Sequence, residues 1–146
     1  RRVMETSQVK MLQEDFVAAT EDPEKAAMED TDRLDIPAGV EVYEIDGPFF
    51  FGLASRFEEL EQMKKPGTKV RIIRMRKVPF IDSTGINNLR NLCERTHRRG
   101  VTVILSGVTE KVHNSLMKFG VDLEIGPDHI FPHIVPALEK ARELVK

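Results

Sequence analysis

From residue 39 onward, the spacing of apolar residues alternates between two patterns. Short runs rich in β-branched and aromatic residues are typical of strands, and the stretches between them repeat their apolar residues every three or four positions, as amphipathic helices do. The runs predict strands at 40–45, 49–51, 70–75, 101–105 and 121–125. The longer repeats predict helices over 52–64, from Ser83 or Thr84 to before Gly100, between Thr109 and Gly120, and near the end of the chain. Because strand–helix–strand units connect parallel strands, this order predicts an α/β fold with a mostly parallel sheet.

The apolar faces of these helices define the expected core. The helix from Ser83 or Thr84 would bury Ile86, Leu89, Leu92, Cys93 and Thr96. The next helix would bury Val112, Leu116 and Phe119, and the last one Val135, Leu138, Ala141 and Leu144 or Val145. The start of the last helix is left open by Pro132 and Pro136, because proline disrupts a helix interior. The first two strands can pair antiparallel through a turn at Gly47 and Pro48.

Residues 1–38 have a different composition and are expected to form a linker. Val9, Leu12, Phe16 and Ala19 recur at helical spacing, which predicts a short amphipathic helix that needs a packing partner. The segment after it is acidic and poor in large apolar residues, as tethers are. Because the chain begins with Arg rather than Met, we expect another part to precede it, and we place the folded domain at 39–146.

The composition of the chain excludes several classes of protein. The chain has 146 residues, of which 40% are hydrophobic and 32% are charged, and its net charge is -2. A chain with this net charge has no overall positive electrostatic field that would attract nucleic acid. A single cysteine, Cys93, excludes an internal disulfide and indicates a reducing, cytosolic location. No apolar run reaches the roughly 18–20 residues that a membrane span needs.

The stretch VPFIDSTGI, residues 78–86, is the main candidate for chemistry. An apolar run ends in Asp82, Ser83, Thr84 and Gly85, where the next helix begins. These residue types cap a helix by accepting bonds from its free N–H groups. The same helix end can attract an anion or carry a phosphorylated serine. Capping alone accounts for the four residues. The sequence does not decide between a helix cap and an anion or phosphate site.

The order of several segments resembles a known family. VPFIDSTGINNL, preceded by VRIIRM and followed by GVTVILSGV, is similar to STAS domains, named for sulfate transporters and anti-sigma-factor antagonists. VEVYEIDGPFFFGLASRF resembles the opening of STAS domains attached to SulP-type anion transporters, more than that of stand-alone antagonists. RRVMETSQVK is similar to the segment after the final membrane helix of such transporters. The resemblance covers residues 40–145.

The resemblance implies a fold and a role. The fold would be a small mixed, mostly parallel sheet of four or five strands with helices mainly on one side. In stand-alone antagonists the serine after the loop aspartate accepts phosphate, which corresponds to Ser83 beside Asp82. Some members bind nucleotide near this loop, but the sequence has no P-loop pattern, so we expect no cofactor. We expect no enzymatic activity.

Other candidate sites have simpler explanations. The single Asp-Ser-Thr-Gly loop lacks the second carboxylate of an aspartic protease, and no G-x-S-x-G elbow supports a serine hydrolase. His129 with His133, and Cys93 with His97, have the spacing of paired metal ligands, but we interpret them as surface histidines and a core cysteine and expect no metal site. The basic residues on and after one strand are interpreted as a solvated face, with anionic lipid as the rival partner. They are Arg71, Arg74, Arg76 and Lys77.

These observations lead to one main hypothesis and one rival. The chain would be a regulatory STAS module on the cytoplasmic side of the plasma membrane, attached to the transmembrane domain of a SulP-type, sulfate-like anion transporter. It would dock to that domain or to a regulatory protein through Asp82–Gly85, Asn87 and Arg90. The rival is a stand-alone anti-sigma-factor antagonist switched by phosphorylation of Ser83. The sequence names neither the transported anion nor the oligomeric state.

Overall fold

A mixed sheet forms the centre of the molecule. The computed structural model of the protein describes residues 8–12, 35–46 and 67–146. Within these residues, four strands lie in the order β1-β2-β3-β4. They are β1 (Gln8–Leu12), β2 (Val40–Asp46), β3 (Val70–Lys77) and β4 (Thr102–Ser106). β1 is antiparallel to β2, and the other neighbours are parallel, which confirms the predicted mixed, mostly parallel sheet.

Helices cover both faces of this sheet, but unequally. The helices are α1 (Ser83–Arg98), α2 (Glu110–Lys118), α3 (Val121–Ile125) and α4 (Ile134–Val145), with a 3-10 turn at Pro127–His129. Tyr43, Ile73 and Leu105 of the sheet pack with α1, α2 and α3 in one core. Val42, Ile72 and Ile104, whose side chains point the other way, pack with α4 in a second core. The described helices therefore lie mainly on one side, as expected.

Helix α1 follows the prediction closely. Its predicted inner face, Ile86, Leu89, Leu92, Cys93 and Thr96, is buried. The helix ends where Gly100 takes a positive φ of 80° and donates its N–H to the carbonyl of His97. A glycine suits this position because other residues avoid left-handed φ values.

The predicted strand at Val121–Ile125 is a helix instead. Alternating apolar residues suggested a strand, but Leu123 in the middle is 73% exposed, while Val121 and Ile125 are buried. Burial at positions four apart is the helical pattern. Gly120, with a φ of 74°, ends the preceding turn and redirects the chain, so α3 packs beside α2 rather than along the sheet.

Two further helical predictions need correction. Phe119 and Val135 were expected in the core, but they are 40% and 50% exposed. In α4 the buried residues are Ile134, Ala137, Leu138 and Ala141. Pro136 is the third residue of α4, where its missing N–H would have had no partner within the helix, so the helix accommodates it.

The N-terminal prediction was wrong for the residues that the structure describes. Val9 and Leu12 were expected in a helix, but Gln8–Leu12 form β1 and pair with β2 from Asp46 to Val42. An edge strand satisfies the outer N–H and C=O groups of β2, whereas a short helix there would be marginal by itself. Phe16, Ala19 and the acidic linker lie outside the described residues, as do the predicted strand at 49–51, its turn at 47–48 and the helix at 52–64.

The basic residues of β3 do not form the solvated face predicted for them. Arg71 and Arg74 are 0% and 2% exposed. Each lies directly opposite a glutamate of β2 in the parallel register, Arg71 opposite Glu41 and Arg74 opposite Glu44. The nitrogen–oxygen distances are 3.3 and 3.5 Å. Arg76 and Lys77 are only partly exposed and also contact Glu44, which leaves this strand poorly suited to contact lipid.

None of the helices in the described part of the chain combines the length and apolarity that crossing a membrane requires.

Candidate functional site

The loop between β3 and α1 forms a capped corner. Ile81 anchors the loop in the core, and the next residue, Asp82, is the N-cap of α1. Its side-chain Oδ1 accepts a hydrogen bond from the N–H of Gly85 at 2.8 Å, and its carbonyl accepts from the N–H of Ile86, also at 2.8 Å. The cap predicted for this stretch is therefore present and is formed by Asp82, and it fixes the direction in which α1 leaves the sheet.

The corner presents polar side chains to solvent. Asp82, Ser83 and Thr84 are exposed, whereas Gly85 is buried against the core. Phe80, just before the corner, is 44% exposed. The first turn of α1 contains no acidic residue, so the only carboxylate in this stretch is that of the cap. The corner thus joins a hydroxyl-bearing helix end to an exposed aromatic ring, a combination that can contact another protein surface.

The two predicted docking residues further along α1 differ in their surroundings. Asn87 is exposed. Arg90 is partly buried and donates from Nε to both carboxylate oxygens of Glu124, at 2.9 and 3.1 Å. Its Nη2 also donates to the carbonyl of Phe119 at 2.8 Å. Arg90 therefore ties α1 to α3 and to the end of α2, and of the two residues only Asn87 is exposed beside the corner.

The described fold agrees with comparisons to known proteins. The family model of the STAS domain matches residues 33–137. The chain belongs to the STAS family. A sulfate transporter family protein from Wolinella succinogenes has a crystal structure that is 39% identical, with a TM-score of 0.73 over 86% of this chain and 98% of that one. The STAS domain of a SulP transporter from Vibrio cholerae is 31% identical, with a TM-score of 0.68 over 84% and 96% of the two chains.

Two further comparisons match a part of the chain. YvdB of Bacillus subtilis (strain 168), a candidate sulfate transporter, is 34% identical over 97 residues, or 64% of this chain. The STAS domain described here spans only 18% of the length of that relative. A candidate anti-sigma factor antagonist from Thermotoga maritima has a TM-score of 0.61 over 74% of this chain and 92% of its own. At 20% identity, that likeness shows the fold alone.

The cysteine and histidines of this STAS domain are not assembled into a reactive site in the described residues. Burial raises the pKa of the Cys93 thiol to about 12, and the negative charges of Glu124 and Glu94 add to the effect. A thiol with so high a pKa remains protonated and unreactive near neutral pH. His97 is exposed, and His129 and His133 lie on different elements, a 3-10 turn and the residue before α4. Within the described residues, no three potential ligands group into a metal site.

The cap of α1 gives a testable prediction. Replacing Asp82 by alanine removes the acceptor for the N–H of Gly85 and is expected to lower the free energy of unfolding by about 1 kcal/mol. Urea denaturation followed by circular dichroism measures the change. Asp82→Asn is the matched control, because asparagine caps helices about as well as aspartate and should retain most of the stability. Equal stability of the alanine variant and the unmodified protein would show that this bond does not hold the corner.

Proposed function

We propose that this STAS domain is the regulatory module of a SulP-type, sulfate-like anion transporter and lies on the cytoplasmic side of the plasma membrane. The observation that carries the proposal is the likeness to the Wolinella succinogenes and Vibrio cholerae proteins, which at 39% and 31% identity match almost their whole length. A domain of this kind is non-catalytic and acts through contacts. Its partner would be the transmembrane domain of the same transporter, with a regulatory protein as a further partner.

We place the docking contact at the exposed corner of α1. Asp82, Ser83, Thr84 and Asn87 are exposed together at one end of the helix. The corner is held by the cap on Asp82, so a partner would meet a surface that is already ordered and would lose little entropy on binding. Arg90 supports this surface by its bonds to Glu124 and Phe119 rather than by contacting the partner.

Sulfate uptake by the full-length transporter tests this placement. Asn87→Glu adds a negative charge beside the corner without removing any bond that the structure shows, and we expect it to change uptake by about fivefold or more, the range of moderate coupling energies. Asn114→Glu is a close control, because Asn114 is also exposed and is likewise the fifth residue of its helix, α2. Both variants should unfold within about 0.5 kcal/mol of the unmodified domain.

The outcome separates docking from general damage. A change in uptake for Asn87→Glu, with normal uptake for Asn114→Glu, supports the corner as the docking surface. Normal uptake for both variants contradicts it. A natural reading frame that encodes no apolar spans before this domain would contradict the transporter proposal itself.

A second candidate function deserves a test because Ser83 is exposed at the first position of α1. A phosphoryl group there would lie at the positive end of the helix dipole but close to the Asp82 carboxylate, so it would change the charge of the corner without unfolding it. This is the switch of a stand-alone antagonist. Intact-mass measurement of the protein from its native cell decides the point, because the absence of a species heavier by one phosphate under every growth condition would exclude the switch.

A further inference from the structure

A cavity of about 290 Å³ lies on the α4 face of the sheet, beside the second half of β3 and the carboxyl end of β4. Its lining includes Arg74 and Arg76 from β3, Gly107 after β4, and residues 132–135 at the start of α4. None of the described residues that line it is acidic. At about 30 Å³ per water molecule, the cavity has room for a tetrahedral oxyanion and part of its hydration shell.

The two arginines are held in fixed positions. Glu44 lies opposite Arg74 in the sheet and accepts from its Nη1 at 3.5 Å, and the same carboxylate accepts from Nη2 of Arg76 at 3.3 Å. A guanidinium carries five N–H donors in one plane, so a group held by a carboxylate on one side can donate to an anion on another. Burial lowers the pKa of Arg76, which shows that desolvation penalises its charge, and a bound anion would offset this penalty.

The start of α4 adds donors to the same cavity. The N-cap residue, His133, makes no side-chain bond to the helix. His133, Ile134 and Val135 all line the cavity, and the first N–H groups of a helix have no partners within it. α4 has 12 residues, so the positive end of its dipole also favours a negative charge here.

A buried hydroxyl next to the cavity provides an independent observation. Ser106 is 0% exposed, and its Oγ has no hydrogen-bond partner among the described residues. It lies opposite Arg74 in the parallel register and directly precedes Gly107, and both of these neighbours line the cavity. Buried hydroxyls without a partner are uncommon, and a polar group bound between Arg74 and Gly107 would supply the partner that Ser106 lacks.

We infer that this cavity binds a tetrahedral oxyanion, as a free ion such as sulfate or phosphate or as a phosphate monoester. Arg74, Arg76, the first N–H groups of α4 and the hydroxyl of Ser106 would hold it. The site lies on the opposite face of the sheet from α1, so it does not depend on the docking proposal.

Titration of the 146-residue chain with sodium sulfate, inorganic phosphate and glycerol 1-phosphate, each against chloride at constant ionic strength, tests the inference. We expect saturable shifts of the amide resonances of residues 106–108 and 133–135. Arg76→Gln should weaken binding about tenfold, the usual effect of losing one charged hydrogen bond. Arg98→Gln removes the same charge from an exposed position on α1 and should change affinity by less than about twofold.

Ser106→Ala is the milder second variant, since it deletes only one hydroxyl and should also weaken binding. Saturation by sulfate or inorganic phosphate supports a site for free ions, whereas saturation by glycerol 1-phosphate alone supports a site for phosphate esters such as lipid headgroups. The inference is overturned if no anion gives saturable shifts at these residues, or if Arg76→Gln and Arg98→Gln lower affinity equally.

Discussion

Replacing Glu41 by glutamine is expected to lower the free energy of unfolding by about 3–5 kcal/mol, because it leaves the buried charge of Arg71 without its carboxylate. Arg71 and Glu41 are 0% and 2% exposed, so water cannot take over the lost interaction. Both carboxylate oxygens are engaged: Oε1 accepts from Arg71 at 3.3 Å and from the hydroxyl of Tyr43 at 3.1 Å, and Oε2 accepts from the hydroxyl of Thr68 at 2.9 Å.

Arg71 is bound from several sides, which makes the pair hard to rearrange. Its Nη1 donates to the hydroxyl of Thr96 on α1 at 3.3 Å, and its guanidinium lies 4.9 Å from the centre of the Tyr43 ring. The network therefore links β2, β3 and α1. A guanidinium held in this way cannot move to solvent when Glu41 is neutralised. The substitution should therefore destabilise the folded state.

Urea denaturation of three variants separates this effect from a general loss of charge. Glu94→Gln removes a carboxylate that is 60% exposed and 3.9 Å from Arg98, and it should change stability by less than about 0.5 kcal/mol. The double variant Glu41→Leu with Arg71→Met replaces the buried pair by apolar groups and should recover most of the loss. A loss below about 1 kcal/mol for Glu41→Gln would show that the pair is not desolvated as the structure indicates.

Replacing Gly107 by alanine is expected to cost about 2–4 kcal/mol, from backbone strain and steric overlap together. Gly107 has a φ of 66°, and a Cβ built on it would lie 2.6 Å from the backbone nitrogen of Arg76 and 2.9 Å from its Cα. Backbone atoms of a central strand cannot move aside as a flexible side chain can. The loop after β4 would therefore have to shift away from β3.

Gly100→Ala is the matched control for this prediction. Gly100 also has a positive φ, 80°, but a Cβ there meets no atom of the described part of the chain within 4 Å. Its substitution should cost only the strain of a left-handed alanine, about 1–2 kcal/mol. Equal losses for the two variants, measured by thermal or urea unfolding, would contradict the close approach of the β4 loop to Arg76.

The sequence predicted those elements whose apolar spacing had one consistent interpretation. β2, β3 and β4 are short runs rich in β-branched residues, and α1 keeps its apolar residues at helical spacing from Ile86 to Thr96. The resemblance to STAS domains added the expectation of helices mainly on one side. Residue type and position predicted a cap among Asp82, Ser83 and Thr84, and the structure assigns it to Asp82.

The errors arose where tertiary contacts decide between local alternatives. Val121–Ile125 alternates like a strand, but packing against α2 and the core selects a helix that leaves Leu123 exposed. Gln8–Leu12 became a strand because the edge of β2 offers it backbone partners, which no local pattern reveals.

The buried ion pairs did leave a signal in the sequence. VEVYEID of β2 has glutamates at its second and fifth positions, and VRIIRMRK of β3 has arginines at its second and fifth positions. Once the two strands are known to be parallel neighbours, this match predicts Glu41 with Arg71 and Glu44 with Arg74. The sequence alone does not show that these two strands pair, because 23 residues separate the end of β2 from the start of β3.

We propose that the corner of α1 is the contact between this STAS domain and a transport domain. A photo-crosslinking amino acid placed at Ser83 of the full-length transporter in its native membrane, followed by mass spectrometry of the linked peptides, tests it most directly. We expect crosslinks from position 83 to peptides of the transmembrane domain, and none from a matched probe at Asn114. Crosslinks from Asn114 but not from position 83 would contradict the claim.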